Sequence, residues 1–65
     1  MKKPKLGNEY WCIQFELGIV ERYYGNRQDV IDDDWKHGNC FPTRKIALRA
    51  LREVKATMRR ISRES

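Results

Sequence analysis

The side chains that could do chemistry in this chain are mostly cations, and most of them stand in its last third. Arg44, Lys45, Arg49, Arg52, Arg59 and Arg63 recur within Thr43 to Arg63, a stretch with no Gly or Pro. At about 100° per residue, Lys45, Arg49, Arg52, Arg59 and Arg63 fall on one side of a helix. A row of cations spaced by helical turns can follow the phosphates of a nucleic-acid backbone. The bland reading is a solvated face that keeps a tiny domain soluble. Such faces usually mix signs through Glu-to-Lys pairs, whereas only Glu53 and Glu64 interrupt this one. Arg44 and Lys45 also carry the wrong sign for a helix N-terminus, so something other than helix stability favours them. No base-reading motif accompanies the row, and no sequence preference follows from it.

The other constellations are weaker. Asp32, Asp33 and Asp34 with His37 resemble a cation site only in charge. An oxygen site needs about six ligands at alternating spacing, so a solvated acidic loop is the better reading. That loop has a second reading, as a shield for the basic helix or a face for a partner's helix. Cys12 with His37 is a conceivable nucleophile and base, but no Gly-rich elbow or oxyanion donor accompanies them. Two isolated cysteines and one His fall short of the roughly four ligands of a zinc site. Trp11, Tyr23, Tyr24, Trp35 and Phe41 could stack on single-stranded bases, but a chain this small needs most of them for its core. The expectation is therefore no enzyme, no metal and no cofactor.

Sixty-five residues make one domain at most, burying roughly 60% of the unfolded surface. Seven aromatics and a periodic aliphatic set argue for folding over disorder. The net charge of +5 is uneven. Arg44 to Glu64 holds eight Lys/Arg and two Glu, net +6, which leaves −1 for the rest. Such polarity suits an anionic partner. No apolar run approaches the ~20 residues of a membrane span, and no signal-peptide core follows the basic start MKKPK. The expected location is the cytoplasm, of the host if phage-encoded, with Cys12 and Cys40 as reduced thiols.

The elements that must position the cations read as follows. Residues 1–8 form a polar, basic lead expected to be mobile. Glu9 to Leu17 is the best strand, with Trp11, Ile13, Phe15 and Leu17 expected inward and Tyr10, Cys12, Gln14 and Glu16 outward. Gly18 ends it, and Ile19 to Tyr24 returns as a second strand. A two-residue turn at Leu17-Gly18 would put Val20, Arg22 and Tyr24 on the face of Trp11 and Ile13. A three-residue turn would put Ile19, Glu21 and Tyr23 there. The first is preferred because it keeps Glu21 out of the core, but the register stays open. Gly25 to Asn39 is irregular, with Val30, Ile31 and Trp35 as its apolar anchors. A short third strand is expected within Trp35 to Phe41. Thr43 then caps a helix whose Ala47, Ala50, Leu51, Val54, Met58 and Ile61 form one apolar stripe.

Gly38-Asn39-Cys40-Phe41-Pro42-Thr43, with the Ala47/Ala50 helix behind and Tyr10-Trp11-Cys12-Ile13 in front, resembles a group of small phage- and prophage-encoded proteins. Their pattern is a Tyr/Trp-rich hairpin, a variable loop, G-N-x-F-x-T and an Ala-rich helix. The resemblance covers the chain from about Glu9 onward and implies a fold and a mobile-element origin. The chain departs from the group after Thr43, where two glutamates are usual and Arg44, Lys45 and Ile46 stand here. In layout the chain also looks like APETALA-type DNA-binding domains and the N-terminal domains of some integrases. That likeness implies that the sheet enters the groove, with Tyr10, Gln14 and Arg22 or Tyr23 as readers.

Together these readings predict an α+β fold over 9–65, a three-stranded antiparallel sheet packed against one C-terminal amphipathic helix. The expected function is that of a small phage- or prophage-type accessory protein holding nucleic acid through the helix. Its phosphate contacts would be Arg44, Lys45, Arg49, Arg52, Arg59 and Arg63. The alternative is a protein-interaction module, a regulator or inhibitor, that binds an acidic protein surface. A homodimer through an open sheet edge is a further expectation.

Overall fold

The computed structural model describes residues 1–64; Ser65, the last residue of the expected domain, lies outside them. The fold is α+β. Strands β1 (Tyr10–Gln14) and β2 (Ile19–Tyr23) form an antiparallel hairpin, and helices α1 (Gln28–Lys36) and α2 (Arg44–Glu64) follow. The long α2 packs on both strands.

The hairpin pairs Ile13 with Val20 and Trp11 with Arg22, so those four share a face as the preferred register requires. The connection is longer than expected. Gln14 pairs with Ile19, and Phe15 to Gly18 form a four-residue loop closed by the Leu17 and Gly18 N–H groups donating to the Gln14 carbonyl. Phe15 and Leu17 are thereby taken out of the strand. They are exposed and not core, at 60% and 71%.

The expected third strand within Trp35 to Phe41 is absent among the described residues: α1 ends at Lys36, and a turn leads from it to Phe41. α1 runs through the acidic stretch expected to be a loop. Asp29 in its first turn and Lys36 in its last suit the helix dipole, and Gln28 donates to Asp32 one turn on. It ends in a Schellman motif. The Gly38 N–H donates to the Trp35 carbonyl and the Asn39 N–H to that of Asp34, with Gly38 at φ 71° as the motif requires. Only Phe41 keeps strand character, exchanging two 2.8 Å backbone hydrogen bonds with Trp11.

This helix changes which residues are core. Ile31 is fully buried and packs with Tyr10, Cys12 and Cys40, against which Tyr23 also lies. Tyr10 and Cys12, expected outward, are therefore buried, because α1 covers the sheet face that a three-stranded design leaves wet. Alternation leaves Ile13, also buried, for the opposite face, where α2 contributes buried Ala47 and Leu51. A strand covered on both faces reads as a continuous apolar run, as Tyr10 to Ile13 does.

The motif Gly38 to Thr43 is accounted for by this architecture. The Asn39 side chain mimics a strand: its Oδ1 accepts from the Ile13 N–H (2.7 Å) and its Nδ2 donates to the Ile13 carbonyl (3.0 Å). Phe41 and Asn39 thus occupy the outer edge of β1. Thr43 caps α2 as expected, its Oγ1 accepting from the Ile46 N–H at 3.2 Å. The N-terminal lead touches the fold through buried Pro4, a Lys3–Asp32 ion pair at 2.7 Å, and the Gly7 N–H donating to the Gly25 carbonyl. Gly25 permits that approach, since a Cβ there would sit 2.2 Å from the Asn8 carbonyl oxygen.

Candidate nucleic-acid interface

α2 is 21 residues long, so it extends about 30 Å. The hairpin covers only its first half. Lys55 marks the limit, its Nζ donating to the Gly18 carbonyl at the hairpin turn (3.4 Å). Every residue from Lys55 to Glu64 is exposed, which gives the molecule a long axis of 42 Å against 21 Å across.

All six cations expected to bind are exposed. Lys45, Arg52, Arg59 and Arg63 fall within about 40° of one another around the helix and run about 27 Å along it. None of the four has an acid within ion-pair distance among the described residues. Arg49 lies at the margin of this row and meets Glu53 at 3.6 Å, with both side chains more than two-thirds exposed. Arg44 points about 100° from Lys45, so it flanks the row instead of joining it. Arg60, not among the expected contacts, pairs with Glu64 at 3.1 Å. The row faces away from Ala47 and Leu51, so docking of α2 on the hairpin leaves it open to solvent.

The sheet offers no comparable surface. Tyr10, a reader by the APETALA-type likeness, is buried, and its hydroxyl donates to Asp34 Oδ2 at 2.6 Å. Burial and then Asp34 push its pKa well above the ordinary phenol value. Tyr23 is half-buried, with its hydroxyl enclosed and without a hydrogen-bond partner among the described residues. Gln14 donates to Glu21, while the Arg22 guanidinium lies 5.2 Å from the Tyr24 ring and 3.8 Å from Glu9. The exposed aromatics are Phe15 and Tyr24, with Trp35 at 38%, instead of Tyr10 or Tyr23.

The acidic residues are held by neighbours other than the basic helix. Asp32 meets Lys3, whose hydrogen bond lowers its pKa, and Asp33 lies 3.6 Å from His37. No ion pair joins α1 to α2 among the described residues, so α1 does not shield the cation row. Nor do these residues gather into a metal-holding group among the described residues. Cys12 and Cys40 are free, buried thiols. Desolvation and the nearby Asp34 push each up to about 11, which holds them protonated and poorly nucleophilic. Cys12 Sγ donates to the Glu21 carbonyl and not to His37.

No protein family, curated protein or solved structure matches the chain. Among the described residues no helix is long and apolar enough to cross a membrane.

Proposed function

We propose that the chain is a small nucleic-acid-binding accessory protein, of the phage or prophage type its motif resembles, that grips phosphates through the outer face of α2. The observation that carries this reading is the cation row itself. Lys45, Arg52, Arg59 and Arg63 stand exposed, aligned and without acid partners among the described residues, on the helix face that folding does not use. Arg49 joins them once Glu53 is displaced, and Arg44 adds a sixth, flanking charge. Binding of this kind is electrostatic, largely independent of sequence, and steep in salt.

The test is fluorescence anisotropy of a labelled random duplex, titrated at two salt concentrations. With four or five phosphates neutralised, log K falls against log salt with a slope of about −4. Arg52→Glu with Arg59→Glu should cut low-salt affinity at least about tenfold and flatten the slope by about two. Unchanged binding in that variant would sink the proposal. If no duplex binds at low salt, the same cations face an acidic protein surface, and capture of an acidic partner that survives moderate salt becomes the measurement.

A further inference from the structure

The apolar stripe of α2 does not stop where the hairpin stops. Ala47 and Leu51 are buried beneath it and Val54 is half-buried, but Met58 and Ile61, further along the same stripe, are 64% and 53% exposed. Leu51, Val54, Met58 and Ile61 follow a four-and-three spacing, the seam of an antiparallel or parallel helix pair. Beside the end of the hairpin stand three more exposed apolar side chains, Phe15, Leu17 and Ile19.

We infer that a second copy of this chain covers the seam, two α2 overhangs packing antiparallel about a two-fold axis. Three features favour a second copy over another occupant. The first is geometric. Helices pack 8–10 Å apart, close to the roughly 10 Å between packed layers, so a partner's overhang fits the layer that the hairpin vacates beyond Gly18. Met58 then lies opposite the partner's Ile61, and Ile61 opposite the partner's Met58. The second is electrostatic. The seam is flanked by Lys55 and Ser62 on one side and Thr57 and Glu64 on the other. Arg52, Arg59, Arg60 and Arg63 point about 130° or more away, so two copies meet without opposing their cations. The cationic outer side of each overhang, net +3 over Lys55 to Glu64, then comes to the partner's hairpin end. There a groove lined by Phe15, Asp33, Asp34, His37 and Asn39 presents two carboxylates. The third is area. A stable interface covers about 800 Å² per partner, some 15% of this chain's 5220 Å², and the overhang supplies exposed Met58 and Ile61 while the loop at the hairpin end supplies exposed Phe15 and Leu17. The pairing would place two cation rows on opposite outer sides of one dimer.

The test is sedimentation equilibrium of the full chain without nucleic acid, from micromolar to submillimolar concentration. The expected result is a mass twice 7.8 kDa, halved in Met58→Glu with Ile61→Glu. Both positions are exposed in the monomer, so circular dichroism of that variant should still show the folded hairpin-and-helix spectrum. Asp33→Lys should weaken the dimer without abolishing it. Lys45→Glu with Arg52→Glu, both outside the overhang, should leave the dimer intact, which separates failure of this inference from failure of phosphate binding. A wild-type chain that is monomeric throughout, or a dimer that survives Met58→Glu with Ile61→Glu, would overturn the inference. So would a monomer whose Met58 and Ile61 are protected only on adding anionic vesicles, since lipid would then be the occupant.

Discussion

The two halves of α2 carry the same amphipathic pattern and live in different surroundings. In the first half the stripe is covered, with Ala47 fully buried and Leu51 nearly so. In the second half Met58 and Ile61, equally well placed by period, face solvent. Periodicity states which residues share a face; only the length of the neighbouring element states how far that face is covered. A five-residue strand spans roughly 17 Å, so it cannot cover a helix of about 30 Å. The first half is therefore stabilised by packing within the chain, and the second by its own hydrogen bonds and whatever it meets.

Leu51→Ala tests the covered half most severely. Its side chain is 6% exposed, and large-to-small changes at such sites cost about 2–5 kcal/mol. In a domain this small that is a large share of the total stability, so urea denaturation should show a near-complete loss. Met58→Ala in the same assay, at a concentration where the chain is monomeric, should cost under about 0.5 kcal/mol. Equal costs at the two sites would mean that the overhang is covered within the monomer and the comparison is wrong.

The covered part should also be the alkali-sensitive part. Cys12 and Cys40 have folded pKa values near 11, above their ordinary 9, and Tyr10 is shifted in the same direction. The unfolded chain then binds fewer protons than the folded one as pH rises past 9, so stability falls with pH. The contribution is fully present below about pH 9 and is lost as pH rises through 11. Denaturation midpoints should drop across that window, and Cys12→Ala with Cys40→Ala should flatten the drop. A midpoint that holds steady to pH 11 in the wild type would contradict the packing of α1 over Tyr10 and Cys12.

At the N-terminus of α2, Thr43→Ala removes the side-chain acceptor for the Ile46 N–H and should cost about 1 kcal/mol. That is a local effect at the covered end, measurable as a lower denaturation midpoint. Hydrogen exchange at Ile46 should rise while exchange near Ile61 stays as it was.

The cap and the long helix were legible in the sequence because their signals are local: Pro42, Thr43 and an uninterrupted apolar period. The exposed row of Lys45, Arg52, Arg59 and Arg63 was legible for the same reason; the pairing of Arg49 with Glu53 at its margin was not. The shared face of Val20 and Arg22 with Trp11 and Ile13 was legible too, but not the pairing: the longer loop sets Ile13 opposite Val20, where a two-residue turn would have set it opposite Arg22. α1 was not. Three consecutive aspartates are poor helix formers, and nine residues offer too few apolar positions to show a period. What holds this helix is distant in sequence: Ile31 against Cys12, and Asp34 on Tyr10. The same distance hid the inward turn of Tyr10 and Cys12, and the role of Asn39 as a side-chain strand. The near-continuous run Tyr10-Trp11-Cys12-Ile13 was the one signal that both faces are covered.

The smallest effect concerns the acid that interrupts the cation row. Glu53 sits four residues after Arg49, the weaker order for such a pair, and both side chains are well exposed. Glu53→Gln should therefore change stability by no more than about 0.3 kcal/mol. It should nonetheless strengthen binding to a random duplex about two- to threefold at low salt, because it frees Arg49 and removes a charge that repels phosphate. The gain should vanish at high salt. Glu64→Gln should behave alike through Arg60 only if the overhang also meets phosphate. A gain at Glu53 without one at Glu64 would confine the binding face to the covered half, and equal gains would extend it along the whole helix.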